Sequence, residues 1–177
     1  VSPDAMNVLY IGVDNPISIS APGVPVEGLK IAGNGVSLTP KGNGKYIARV
    51  TNAGDVSLAV TATIDGKSQN LGSSTFRVKR IPKPTARIAG KEGGRISAAQ
   101  LRGQTVISAS LDNFDFDAKF RVTKFNMYIS KPRVDPIGPY AASGNEFSAQ
   151  MKSALAGLTA GSVVMIYDIN GVGPDGV

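Results

Sequence analysis

The segment Val56–Ile64 constrains the fold most, because it places an apolar side chain at every second position over nine residues. This period of two is that of a β-strand with one buried face. Asp65-Gly66 follows directly and favours a type I′ turn, whose two central residues both need positive φ. Strand character then resumes and runs to Phe76–Lys79. The sequence therefore predicts a long antiparallel hairpin.

Further short strands surround this hairpin in the first half of the chain. They are predicted at Val8–Val13, Pro16–Ser20 and Gly44–Val50. The glycine-rich stretches Gly33–Gly35 and Gly42–Gly44 are interpreted as hairpin turns, since neither has the ending of a phosphate-binding loop. Short strands at this spacing are typical of an immunoglobulin-like sandwich, which we expect over residues 1–80.

The second half is also β-rich but contains a helix. Pro82 and Pro84 cannot lie in a central strand, so a second domain is predicted over residues 81–177. Its principal helix is predicted near 147–156, because Phe147, Met151, Leu155 and Leu158 recur at helical spacing. A single capped turn at Ser97–Gly103 and strands near 105–111, 119–130 and 162–169 complete it. The fold class is mainly β, with two tandem β-sandwich-like domains.

The composition argues against an enzyme. The chain of 177 residues has no Cys and no His, which excludes a thiol nucleophile, a Ser-His pair and a Cys/His metal site. We expect neither catalysis nor a cofactor.

Three carboxylates, Asp112, Asp115 and Asp117, lie close together in the sequence. They could bind a hard cation, which prefers clustered oxygen ligands. Alternatively, Phe114 and Phe116 alternate with them as on a strand that has one wet and one buried face. We favour the strand and predict no metal site.

Eight basic residues and one acid lie between Arg77 and Arg102, in a chain with a net charge of +6. Nucleic-acid binding is disfavoured, because no aromatic stacking residues are interleaved and no duplex-reading motif appears. An acidic protein partner and a merely solvated face remain open. The candidate partner-binding residues are Arg77, Arg80, Lys83 and Arg87.

The chain also has features expected of a fragment. It begins with Val and ends in the turn Pro174-Asp175-Gly176, where another strand could start. The longest apolar runs, such as Val163–Tyr167, fall far short of the ~20 residues of a membrane-spanning helix. We expect a piece cut at both ends.

Three segments together resemble the C-terminal periplasmic region of the GldM family, called PorM in non-gliding relatives. The first is Met6–Ile19, which contains the string YIGVDNPISI, and the second is Phe76–Pro84, FRVKRIPKP. The third combines Leu111–Phe116, LDNFDF, with the terminal Gly173–Gly176. The resemblance extends from Met6 to the end of the chain.

The resemblance implies a structural function. It predicts a non-catalytic shaft fragment of a proton-driven type IX secretion and gliding motor, which transmits force to an outer-membrane-associated lipoprotein ring. It implies a homodimer, ring proteins as partners, and an inner-membrane motor partner reached through a transmembrane part that this chain lacks. The location would be the periplasmic domain of a single-pass inner-membrane protein.

A carbohydrate-binding or adhesin-type module is the alternative, because tandem β-sandwiches also serve in those roles. Sugar sites commonly stack the ligand on exposed Trp or Tyr rings, and this chain has no Trp and five Tyr. The alternative is therefore ranked second.

Overall fold

The computed structural model describes residues 2–3 and 7–177, so Met6, the first residue of the resemblance, lies outside the described residues. The chain divides into two compact units. Unit 1 comprises the residues up to Ile81 together with Asp115–Asp117 and Pro174–Gly176, and unit 2 comprises the rest. In both units most of the regular secondary structure is β-strand, as predicted.

Unit 1 is a sandwich of two four-stranded sheets. Its strands in the described residues are β1 (Ser2–Pro3), β2 (Val8–Tyr10), β3 (Asn15–Ser18), β4 (Leu29–Asn34), β5 (Val36–Gly42), β6 (Lys45–Val50), β7 (Gly54–Ile64) and β8 (Lys67–Lys79). One sheet has the order β1-β3-β6-β5 and the other β2-β8-β7-β4. Side chains from both sheets form one hydrophobic core, which includes Leu9, Ile17, Ala48, Leu58 and Phe76. The sandwich prediction is confirmed.

The hairpin of β7 and β8 forms where the sequence predicted it. Asp65 and Gly66 have φ values of 51° and 75°, and Ile64 pairs with Lys67 across the turn. On β7, Val56, Leu58, Val60 and Ala62 are buried. The period-two pattern and the turn dipeptide thus specify both the hairpin and its buried face.

One predicted hairpin turn was wrong. Gly42–Gly44 does join the paired strands β5 and β6, but Gly33–Gly35 joins β4 to β5, which lie in different sheets. A Cβ on Gly33 would lie 2.5 Å from Val36 Cγ1 and 2.9 Å from Leu58 Cδ2. Glycine is needed there because the chain packs closely against the core as it crosses between the sheets.

Unit 2 packs two helices against a three-stranded sheet. Its strands are β9 (Thr85–Arg87), β10 (Ser108–Ser110), β11 (Arg121–Lys131), β12 (Val134–Ser143) and β13 (Val163–Val172), and its helices are α1 (Ala98–Arg102) and α2 (Ala149–Ala156). The sheet has the order β12-β11-β13, while β9 and β10 pair separately. The core joins Phe125, Met127 and Ile129 of β11 to Met151 and Leu155 of α2.

The principal helix was predicted correctly. It begins at Ala149, since Ser148 is the N-cap and its hydroxyl accepts a hydrogen bond from the Met151 N–H at 3.3 Å. Phe147, Met151, Leu155 and Leu158 are all buried. The short turn α1 is capped in the same way by Ser97.

Two segments in the second half of the chain differ from the sequence-based expectation. The segment Leu111–Asp117 is irregular and not a strand, although its exposure does alternate. Strand β12 was not predicted, because Pro136 and Pro139 interrupt its pattern; both lie on an edge strand, where proline is tolerated.

Candidate functional site

The loop between β2 and β3 is organised by one buried side chain, Asn15, which is 1% exposed. Its Oδ1 accepts a hydrogen bond from the Tyr10 N–H at 2.7 Å. Its Nδ2 donates to the carbonyls of Tyr10, Val13 and Ala48 at 2.9, 3.1 and 3.1 Å. This amide satisfies buried main-chain groups of its own loop and of β6, so the loop conformation depends on asparagine.

Two neighbours of Asn15 complete this loop. Gly12 has a φ of +81°, a conformation that side-chain-bearing residues rarely adopt. The Asp14 carboxylate pairs with Arg49 of β6, with Oδ1 2.6 Å from Nε and 2.5 Å from Nη2. Both side chains of that pair are exposed, so it contributes little to stability.

The segment Pro174–Gly176 packs against this loop within unit 1. A Cβ on Gly12 would lie 2.3 Å from the Pro174 carbonyl oxygen. Arg80 Nη1 lies 3.6 Å from Asp175 Oδ2. The Asp175 side chain is only 7% exposed, whereas that of Arg80 is 59% exposed. Gly12 is therefore needed both for its backbone conformation and for the approach of this segment.

The segment Asp115–Asp117 also belongs to unit 1. The Phe116 ring meets the Tyr10 ring edge-on, with centroids 5.1 Å apart and an interplanar angle of 65°. This is a favourable geometry for an aromatic pair. Tyr10, Gly12, Arg80, Phe116 and Asp175 thus lie in the same unit although they are widely separated in sequence.

The four candidate partner-binding residues fall into both units. Arg77 lies on β8 with an exposed side chain, opposite Asp55 of β7. Arg80 follows β8 and pairs with Asp175, as described above. Lys83 is exposed in the irregular segment after Ile81, in unit 2. Arg87 also lies in unit 2, on β9.

The guanidinium of Arg87 binds three side chains of its own unit. It donates to Ser110 Oγ and Glu92 Oε1, both at 2.7 Å, and to Asp112 Oδ2. The hydrogen bond to Asp112 is the main cause that raises the pKa of Arg87 above its ordinary value, followed by the one to Glu92. Asp112 therefore pairs with an arginine, and Arg87 connects β9, β10 and the segment after β10.

A cleft of about 850 Å³ opens in unit 2 beside strand β13. Apolar side chains form most of it, and Lys91, Glu92 and Arg95 lie along it. Among the described residues, no group of three or more His, Cys, Asp or Glu side chains is placed to hold a metal ion.

Two protein-family models match the chain in succession. The model of the GldM third domain matches residues 1–79, and the model of the GldM C-terminal domain matches residues 82–177. The chain belongs to the GldM family. No curated protein is similar enough to count as a match.

GldM-family proteins serve gliding motility and type IX secretion. They are periplasmic proteins that are anchored in a membrane. In the part of the chain that the structure describes, no helix is both long and apolar enough to cross a membrane.

Sequence reasoning singled out several residues of this site but not their arrangement. The string YIGVDNPISI contains Tyr10, Gly12 and Asn15, and its Asn-Pro dipeptide was the available signal of a turn. The association of Gly12 with Pro174 and of Tyr10 with Phe116 carries no signal in one sequence, because it depends on tertiary packing. The cleft beside β13 was missed for the same reason, although the apolar run Val163–Tyr167 had been noted.

Proposed function

We propose that this chain is a non-catalytic part of the periplasmic shaft of a type IX secretion and gliding motor. It transmits force from a proton-driven assembly in the inner membrane to a lipoprotein ring associated with the outer membrane. Support comes from the consecutive matches to the third and C-terminal GldM domains, which together span the chain.

One structural observation carries the mechanical part of this proposal: β2 and β8 of unit 1 are parallel neighbours. β2 lies near the start of unit 1, and β8 ends shortly before the chain leaves it. A pull on the N-terminal side of β2 and on the C-terminal side of β8 therefore acts along the two strands in opposite directions. Their hydrogen bonds then bear the load together instead of opening one after another.

Hydrogen bonds between β2 and β8 extend beyond the three residue pairs that Val8–Tyr10 form with β8. The Arg77 N–H donates to the Asn7 carbonyl at 2.9 Å, and the Ile11 N–H donates to the Lys79 carbonyl at 3.0 Å. On its other side β8 pairs with β7 through eleven residue pairs. β8 is therefore held on both edges at the point where the load is applied.

Force spectroscopy on the whole chain tests this role. Since the sequence has no Cys, two introduced cysteines give unique attachment points. Asn7→Cys with Lys79→Cys pulls the parallel strands in opposite directions along their length. Asn7→Cys with Thr75→Cys is the matched control, because it opens the same strand pair from one end. We expect the first pair to unfold at a clearly higher force; equal forces would remove the support for a load-bearing role.

The proposal includes the partners expected of a shaft. The chain works as a homodimer, binds ring proteins near the outer membrane, and reaches the inner-membrane motor through a transmembrane part of the same protein. Its surface supports a protein contact, since Arg77, Arg80 and Lys83 are exposed. Such charges act mainly on the association rate.

A further inference from the structure

The hydrophobic core of unit 2 is open along one side. The cleft of about 850 Å³ is bounded by the chain segment from Ala86 to Ile96 and by strand β13. Its lining includes Leu101, Ile107 and Leu158, which are core residues. Val164 and Ile166 of β13, both half-buried, also face it. A further apolar side chain entering here would therefore extend the core.

Strand β13 presents a free edge at this cleft. It is the last strand of the sheet, and in the described part of the chain β11 is its single strand neighbour. Proteins usually protect such an edge with proline or charged residues. The opposite edge strand, β12, has Pro136 and Pro139, whereas Val163–Tyr167 of β13 has neither proline nor charge.

Two side chains of this unprotected stretch are also unusually exposed for apolar residues. Val163 is 58% exposed and Met165 is 54% exposed. An exposed apolar stretch combined with free main-chain donors and acceptors fits an added β-strand, which pairs through its backbone and inserts alternate side chains.

The charges along the cleft favour an acidic occupant. Arg87 is compensated by Glu92 and Asp112. Lys91 donates to the Arg95 carbonyl, and among the described residues neither the Lys91 ammonium nor the Arg95 guanidinium has a carboxylate partner. Two cations therefore remain available beside an apolar cleft.

We propose that the edge of β13 at Val163–Tyr167 binds an extended segment of a protein partner by strand addition. Alternate apolar side chains of that segment enter the cleft, and its carboxylates approach Lys91 and Arg95. The inference rests on the proposed function only for the origin of this segment, a periplasmic partner of the shaft; the site itself is defined by residues of unit 2.

A synthetic peptide tests the site directly. The probe is a fluorescent peptide of about eight residues that alternates Val with Asp or Thr, a length that covers the five unprotected positions of β13 with some overlap. Its affinity for the whole chain is measured by anisotropy against a scrambled peptide and a peptide with Lys in place of Asp. Two further versions carry N-methyl groups on alternate amides. Strand addition uses the amides of one edge, so we expect one methylated version to lose binding and the other to keep it.

Matched variants of the chain locate the binding. Ile169 lines the cleft and is 37% exposed, while Leu71 of β8 is 39% exposed and lies in unit 1. We expect Ile169→Asp to weaken the peptide at least ~10-fold, since it places a charge in an apolar site, and Leu71→Asp to leave it unchanged. Arg95→Glu should weaken binding ~3-fold or more at low salt, while Lys67→Glu on β8 should not.

Several results would overturn the proposal. The proposal fails if the acidic peptide does not bind at millimolar concentration or if both methylated versions bind equally. It also fails if Ile169→Asp and Leu71→Asp change the affinity equally. If Ile169→Asp instead converts a dimer to a monomer in light scattering, a second copy of the chain occupies the edge and the peptide proposal fails. The shaft proposal is tested separately, since capture of ring proteins by the whole chain can persist when the peptide does not bind.

Discussion

Arg80 Nη1 lies 3.6 Å from Asp175 Oδ2, which pairs an exposed guanidinium with a carboxylate that is only 7% exposed. The sequence proposed Arg80 as a partner-binding residue, and the structure gives it an internal partner within unit 1. A pair with one well-exposed member contributes only about 0.5–1 kcal/mol. Reversing its charge is a larger change, because two carboxylates would then face each other.

We therefore predict different effects of the two charge reversals around the end of β8. Arg80→Glu should lower the melting temperature of the whole chain measurably, and Arg80→Gln should lower it less. Lys83→Glu should leave it unchanged, since Lys83 is exposed and, among the described residues, no carboxylate forms an ion pair with it. Circular dichroism melts at low salt measure all three; equal melting temperatures for Arg80→Glu and wild type would show that the pair with Asp175 is not formed in solution.

Asn15 should be among the least replaceable polar residues of unit 1. Asn15→Ala removes the partners of one N–H and three carbonyls in a buried loop. We expect the free energy of unfolding to fall by ~2–4 kcal/mol, because buried main-chain groups lose their hydrogen bonds. Urea denaturation measures this loss, and Asn34→Ala at the exposed end of β4 is the control, with an expected change below about 0.5 kcal/mol. A similar small change for Asn15→Ala would contradict the role of its amide.

Gly12 combines a positive φ with a close neighbour, and the two effects can be separated. Gly12→Ala strains the backbone and also places a Cβ 2.3 Å from the Pro174 carbonyl oxygen. Gly23→Ala is the control, because Gly23 has a φ of +75° and open space around it. We expect about 1–2 kcal/mol for the control and a larger loss for Gly12→Ala. Hydrogen exchange should also show faster exchange at the Asp175 and Gly176 amides in Gly12→Ala alone; unchanged exchange there would mean that the segment does not pack on Gly12.

The fold was predictable where local signals agree with tertiary packing. The β7–β8 hairpin has both the alternating pattern and the Asp65-Gly66 turn, and helix α2 has both apolar periodicity and the Ser148 cap. Each of these was predicted to within a few residues, because the same side chains determine local conformation and burial.

The remaining features depend on contacts that are distant in sequence. Asp112, Asp115 and Asp117 were interpreted as one strand edge, yet Asp112 binds Arg87 in unit 2, while Asp115 and Asp117 belong to unit 1. Spacing along the chain cannot distinguish these outcomes, because long-range pairing decides which unit a residue joins. The same reason applies to Arg87, whose three internal partners lie five to twenty-five positions away.

The exposed cations should govern the rate of ring binding more than its affinity. We expect Arg77→Glu with Lys83→Glu to slow association with isolated ring proteins and to reduce its salt dependence, because rim charges steer the encounter. Arg87→Glu is not a suitable test, since that guanidinium is bound inside unit 2. Lys45→Glu with Lys67→Glu, which changes two exposed lysines of unit 1, is the control for net charge. Surface plasmon resonance at several salt concentrations measures the rates; unchanged association in the double variant would make the basic stretch a solvated face.

Self-association should be visible with the chain alone. In the described part of unit 1, the outer strands of each sheet have one strand neighbour, and isolated sandwiches of about 80 residues need such edges paired or blocked. Strand β5 carries Pro40 and Lys41, whereas β4 has one lysine and no proline. We therefore expect a homodimer that pairs through unit 1, seen as a concentration-dependent rise from monomer to dimer mass in light scattering. Ala32→Pro on β4, where Ala32 is exposed, should favour the monomer. Ala32→Lys, which adds charge without removing an N–H, is the comparison at the same position and should weaken the dimer less. A monomer mass at high micromolar concentration would contradict dimerisation, and a dimer unaffected by Ala32→Pro would assign it to another surface.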